Sequence, residues 1–201
     1  RLKFLAITAS NLDEFFQVRV GGLHLMLSSG SRKRGISGLT PSQQLNAIRT
    51  RSKKMIQDQY DLLNNELLPA LQKEGLNLLS SSDITPSQHE ALASRFEDSI
   101  FPLLTPLAHS EETDTASLPS MRIILACELE SPTDNAKRNI FIPIPDGINR
   151  AVQLPVADTS NSAADSDIIL LEDVISLFAE ELFPDEKLHA VMPFRITRNG
   201  D

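Results

Sequence analysis

The chain has 201 residues, 41% hydrophobic and 23% charged, a composition that excludes disordered and collagen-like classes and leaves room for one sizeable core or two modest ones. A lone cysteine, Cys127, rules out an internal disulfide framework; no stretch reaches the ~18 consecutive apolar residues of a membrane span, and Arg1-Leu2-Lys3 does not open a signal peptide, so a cytoplasmic location is expected. The net charge of -8 is uneven, because Arg1 to Lys54 holds ten Lys and Arg against only Asp13 and Glu14 while the remainder is strongly acidic, and a basic front suits either a polyanionic ligand or an acidic neighbouring domain.

In chain order, Leu5, Ala9, Leu12, Phe16, Val20, Leu23 and Leu27 fall at helical spacing, interrupted by the polar pair Ser10-Asn11. Arg1 already stands inside this pattern with no cap before it, so an earlier helix is expected to be missing. A soft loop over Ser31 to Gly38 precedes Thr40-Pro41-Ser42-Gln43, where Thr sits at the cap, Pro at the first helical position and Gln three residues after the cap. The same four letters recur at Thr85-Pro86-Ser87-Gln88. Between them Leu45, Ile48, Ser52, Met55, Gln59 and Leu62 make one helical stripe, flanked by Ile56, Leu63 and Leu67, and Gly75 is a plausible stop. The second capped helix carries Leu92, Phe96 and Ile100 on one face and must end near Pro102. Three antiparallel helices packed as a bundle are expected.

Beyond Phe101-Pro102-Leu103-Leu104-Thr105-Pro106 the texture changes. Met121 to Leu129 and Ile140 to Ile144 are short, apolar and β-branched, separated by the turn sequence Ser131-Pro132-Thr133-Asp134-Asn135. A weaker strand is expected over Ala151 to Val156, a loop over Ala157 to Asp167, a short strand over Ile168 to Leu170, a helix from Leu171 to Phe183 closed by Pro184, and a last strand near Ala190 to Thr197. The expected fold class is α+β: an antiparallel helical bundle over residues 1–104, then an incomplete mixed α/β domain over 105–201 whose sheet lacks a closing partner.

Residues with chemical potential are sparse. His24, His89, His109 and His189 are scattered, and none stands at metal-ligand spacing. Neither of the common glycine-rich phosphate loops is present, so a nucleotide would have to be held by side chains. The acid pairs Glu111-Glu112, Glu128/Glu130 and Glu180-Glu181 sit in contexts that do not converge. Cys127, beside Ile124, Leu125 and Ala126, reads as a small buried side chain.

One constellation stands out, Ser10-Asn11-Leu12-Asp13-Glu14-Phe15-Phe16. Ser10 with Asp13, or Asn11 with Glu14, is a helix-capping arrangement. Alternatively, the Asn11 carboxamide carries donors and an acceptor that match the edge of adenine, with an apolar surface beside it to support the ring. Phe15 and Phe16 read as packing that seats Asn11.

With Arg1-Leu2-Lys3-Phe4-Leu5-Ala6-Ile7 before it and Val18-Arg19-Val20 after it, this run resembles the signature of the long, ATP-using polyphosphate kinases. Leu39-Thr40-Pro41 with Gln44-Leu45, Phe101 to Leu107, Leu171 to Ile175 and Phe194 to Asn199 are similar to further family blocks in the same order. The resemblance implies an N-terminal fragment of an enzyme that moves the terminal phosphate of ATP to polyphosphate, reversibly, through a phosphohistidine beyond residue 201. It implies that residues 1–104 form an adenine wall without its opening helix, with Asn11 as the ATP contact, and that 105–201 take part in dimerisation. Mg2+ would be bound by later domains, with neither metal ligand nor catalytic residue in this stretch. The implied partners are ATP or ADP, polyphosphate, the remaining domains and a second copy, with neither nucleic acid nor membrane, and this stretch alone is expected to be inactive. Two other readings stay open: a non-catalytic helical assembly module, and a polyanion-binding module using Arg32, Lys33, Arg34, Arg49, Arg51, Lys53 and Lys54.

Overall fold

The computed structural model describes residues 1–108, 118–155 and 166–199. His109, Glu111, Glu112 and positions 157–165 of the expected loop lie outside the described residues. The chain divides into two compact units, residues 1–70 with 197–201, and residues 71–196.

The first unit is a helical hairpin. Helix α1 (Leu2–Phe15) continues through a widened π turn at Phe16–Val20 into α2 (Gly21–Ser28), and α3 (Pro41–Leu62) continues through a second such turn at Leu63–Leu67 into α4 (Leu68–Lys73). Arg1 pairs with Glu66 at 3.2 Å, and Arg19 Nη2 donates to Gln44 Oε1 at 2.7 Å. The start of one arm thus meets the end of the other, which makes them antiparallel. The stripe expected on α3 faces inward, with Ser52 and Leu67 buried against an arm that buries Leu23. Helix α3 starts where its sequence says: the Gln43 N–H donates to Thr40 Oγ1, and the Thr40 N–H donates back to Gln43 Oε1 at 3.0 Å. It stops as expected too, because Gly75 takes a positive φ of 83° just past α4, which costs glycine nothing.

The second unit is built on two sheets. The first has the order β1-β6-β5, with β1 (Leu76–Leu79) parallel and β5 (Ala151–Gln153) antiparallel to β6 (Ser166–Leu170). The second is fully antiparallel, in the order β2-β4-β3-β7: β2 (Leu107–Ala108), β4 (Lys137–Pro143), β3 (Ile123–Glu130) and β7 (Lys187–Arg195). Asn135, at φ 55°, turns the chain from β3 into β4 within the expected turn.

Helix α5 (Pro86–Arg95), extended by a π turn at Phe96–Ile100, presses Leu92, Phe96 and Ile100 against Leu125, Cys127 and Leu129 of β3. Helix α6 (Leu171–Leu177) adds Leu171, Val174 and Ile175 to that core, and Phe178 stacks on Phe96 at 5.1 Å. The α+β class stands, with three differences from expectation. The third helix of the expected bundle, α5, packs on the sheets of the second unit, because its apolar face meets β3 and α6. Strands β1 and β2 take the place of connecting segments. The helix expected to run to Phe183 breaks at Phe178, whose φ of -105° and ψ of 13° leave the helical region before a 3-10 turn at Ala179–Leu182.

Candidate functional site

Asn11 lies well inside α1, a helix of 14 residues that begins at Leu2 and runs on to Phe15. The capping reading of Ser10-Asp13 and Asn11-Glu14 is therefore overturned, since a cap must precede the first turn and this helix has no acid in its own first turn. Flanking apolar residues on the helical period override the weak helix preference of Ser and Asn. The Asn11 side chain is exposed and makes no hydrogen bond among the described residues.

Asn11 borders a pocket of about 560 Å³ between α1 and α3, within the size range of small-molecule sites. Leu12 and Phe15 line it from α1, and Ile48, Arg51 and Met55 from α3. The walls are mainly apolar, with the Asn11 carboxamide and the Arg51 guanidinium as polar groups capable of fixing a ligand. Ser52 lines the same pocket but turns its hydroxyl back to the Arg49 carbonyl at 3.3 Å. Phe15 lines the pocket directly and packs edge-to-face on Phe16 at 6.1 Å. Phe16 does not line this pocket but borders a different hollow, beside Gly21 and His24.

The basic residues do not converge. Arg51 faces α1, Lys54 pairs with Asp58 one helical turn on, and Arg34 donates to the Gly38 carbonyl at 2.7 Å. Arg49 and Lys53 sit one turn apart on another side of α3. A second hollow of about 520 Å³ brings His24 and Ser28 of α2 beside Arg198 and Asn199. There Gly21 is essential to the close approach, for a methyl group on it would fall 2.7 Å from Asn199 Cβ.

The other histidines among the described residues, His89 and His189, have structural surroundings. His89 packs on Phe178 at 5.2 Å, and His189 meets Glu130 at 2.6 Å. Glu128 pairs with Lys137, whose bond holds the carboxyl below its usual range, so the Glu128/Glu130 pair is divided between two partners. Burial pushes the Cys127 thiol up to about 11, which leaves it unreactive. Among the described residues no group of three or more His, Cys, Asp and Glu is placed to hold a metal. No helix among them is long and apolar enough to cross a membrane.

Sequence reasoning singled out Asn11 but not Arg51 or Phe15 as its companions. The signal was available in the helical phase of Ile48, Arg51 and Met55, but which helix would face them was not.

Two family models cover nearly the whole chain: the polyphosphate kinase N-terminal domain over residues 1–79 and the polyphosphate kinase middle domain over residues 87–201. A polyphosphate kinase of Exiguobacterium sibiricum is 40% identical over all of this chain and 27% of its own length. One from Halalkalibacterium halodurans is 38% identical over all of this chain and 28% of its own length, and one from Mycobacterium tuberculosis 33% identical over the same shares. The crystal structure of polyphosphate kinase from Porphyromonas gingivalis superposes with a TM-score of 0.83 at 29% identity, covering all of this chain and 29% of that one. The chain thus spans less than a third of the relatives it matches.

Proposed function

This chain belongs to the polyphosphate kinase family, and on that premise we propose that it supplies an adenine-contacting wall to an enzyme exchanging the terminal phosphate of ATP with polyphosphate. The observation that carries this reading is the Asn11 carboxamide, exposed, without a protein hydrogen bond among the described residues, and set at the edge of an apolar pocket. Such a group offers a donor and an acceptor side by side, which is what the edge of adenine requires. The flanking side chains of Leu12, Phe15 and Ile48 give the ring an apolar surface.

In this proposal the phosphoryl group passes through a histidine located beyond residue 201. Catalysis there rests on positioning and charge neutralisation, and any Mg2+ is held by residues of the longer protein. The described histidines are engaged in packing, in a hydrogen bond to Glu130, or in the α2 hollow, and are assigned no part in transfer. Residues 105–201 are assigned to contacts between copies, and the protein to the cytoplasm.

The test is Asn11→Ala in the full-length enzyme. ATP affinity should fall by about 1 to 2 kcal/mol, the worth of one such hydrogen-bonding group, while phosphorylation at saturating ATP persists. Unchanged affinity would remove Asn11 from the nucleotide site and favour a helical assembly role for this unit.

A further inference from the structure

We propose that the loop half of the helical hairpin is a docking surface for long-chain polyphosphate, separate from the place where phosphate is exchanged. The inference rests on the reading of the longer protein as an enzyme that uses polyphosphate. It goes beyond that reading by assigning a surface that holds the chain outside the nucleotide pocket.

The charge pattern is the first observation. Between Glu14 and Asp58 the sequence has eight Lys and Arg and no acid, in a chain whose net charge is -8. That acid-free stretch takes in α2, the loop over Ser31 to Gly38 and most of α3, which together make the half of the hairpin nearest the loop.

These cations are not neutralised within the fold. Arg32, Lys33, Arg49 and Lys53 are exposed, and their side chains make neither a hydrogen bond nor an ion pair among the described residues. In the second unit, by contrast, Arg122, Lys137, Arg138 and Arg150 each meet a carboxylate, on Asp146, Glu128, Glu186 and Glu172 respectively. Unopposed charge of one sign raises the local concentration of a polyanion and speeds its capture. The loop is also held in a fixed shape. The Arg34 guanidinium donates to the Gly38 carbonyl at 2.7 Å, and the Leu39 carbonyl accepts from the Gly35 N–H at 3.0 Å and from Gln44 Nε2 at 2.9 Å. Arg32 and Lys33 thus stand on an ordered turn, which lowers the entropy cost of binding.

The ligand class follows from what the stretch lacks. Neither Phe, Tyr nor Trp occurs between Phe16 and Tyr60, so it offers no aromatic platform on which nucleic-acid bases could stack. Cations without such platforms suit an anion that carries charge and no bases. From Thr40 to Lys53 α3 rises about 20 Å at 1.5 Å per residue, so only an extended chain can touch the loop and Lys53 together.

The experiment measures binding of long-chain polyphosphate, tripolyphosphate and a single-stranded oligonucleotide of matched charge to the full-length enzyme over a range of salt. It compares the unaltered protein with a variant carrying Arg32→Gln, Lys33→Gln, Arg49→Gln and Lys53→Gln, and with one carrying Arg32→Lys and Arg49→Lys. Unfolding midpoints check that each variant is folded. The neutralised variant should bind long-chain polyphosphate about tenfold more weakly at low salt, with the slope of log affinity against log salt reduced by about 3 for the four cations. Its binding of tripolyphosphate and ATP should not change, and the lysine variant should match the unaltered enzyme. Unchanged long-chain binding and salt slope would make the cations a solvated face and overturn the inference. Equal losses for tripolyphosphate and the long chain would place them at the exchange site and overturn it too. An oligonucleotide bound more tightly than polyphosphate, and lost with the same cations, would overturn it in favour of nucleic acid. Failure of the unaltered enzyme to bind polyphosphate at all would overturn the polyphosphate reading along with it, whereas a failure confined to the variants leaves that reading standing.

Discussion

Gln88 donates through Nε2 to Asp167 Oδ2 at 2.8 Å, and the two residues, 1% and 8% exposed, sit at the joint between α5 and the first sheet. The same Nε2 also reaches the Pro155 carbonyl at 2.9 Å, and Asn77 of β1 donates to the other oxygen of Asp167 at 2.8 Å. Gln88 is at the same time the third residue of the α5 capping box. One side chain thus starts a helix and fastens it to the parallel pair β1-β6. Gln88→Ala strips the buried Asp167 carboxylate and the Pro155 carbonyl of a donor. A loss of about 2 to 3 kcal/mol in unfolding free energy is expected, read from the denaturant midpoint. Gln88→Glu should cost more, since it sets two carboxylates together.

The two capping boxes make a matched pair for testing. Thr40→Ala and Thr85→Ala should each cost about 1 kcal/mol, but in different places. Amide exchange should speed up in the first turn of α3 for the former and of α5 for the latter, because the caps belong to different compact units.

Cys127 gives a pH dependence of defined sign. Its thiol is fully buried in β3 and pushed from an ordinary 9.0 up to about 11. A group whose folded value is raised adds stability below its unfolded value and loses it as pH climbs through the folded one. Stability should therefore decline between about pH 9 and 11, by on the order of 2 to 3 kcal/mol, and Cys127→Val should flatten that decline. Thiol reagents at pH 8 should modify the unfolded chain but not the native one.

What was legible in the sequence was local. The capping boxes need only four residues, and Gly75 needs only its own freedom to turn, so both ends of the α3-α4 arm could be read. Strand β1 was hidden because Leu76-Asn77-Leu78-Leu79 becomes a strand by pairing with β6 some ninety residues on. The apolar face of α5 was visible in Leu92, Phe96 and Ile100, but a stripe does not name its partner, and the partner proved to be β3 and α6. At the site, Asn11 stood out by its motif, which also suggested a cap that the continuous α1 rules out. Arg51 looked like one of several cations until α1 gave it a pocket to face.

The most direct measurement is a structure of the full-length protein with a non-hydrolysable ATP analogue. The account predicts the Asn11 carboxamide within hydrogen-bond distance of the adenine edge, roughly 3 Å, with the ring against α1. Adenine bound elsewhere, with another segment of the protein covering Asn11, would contradict it.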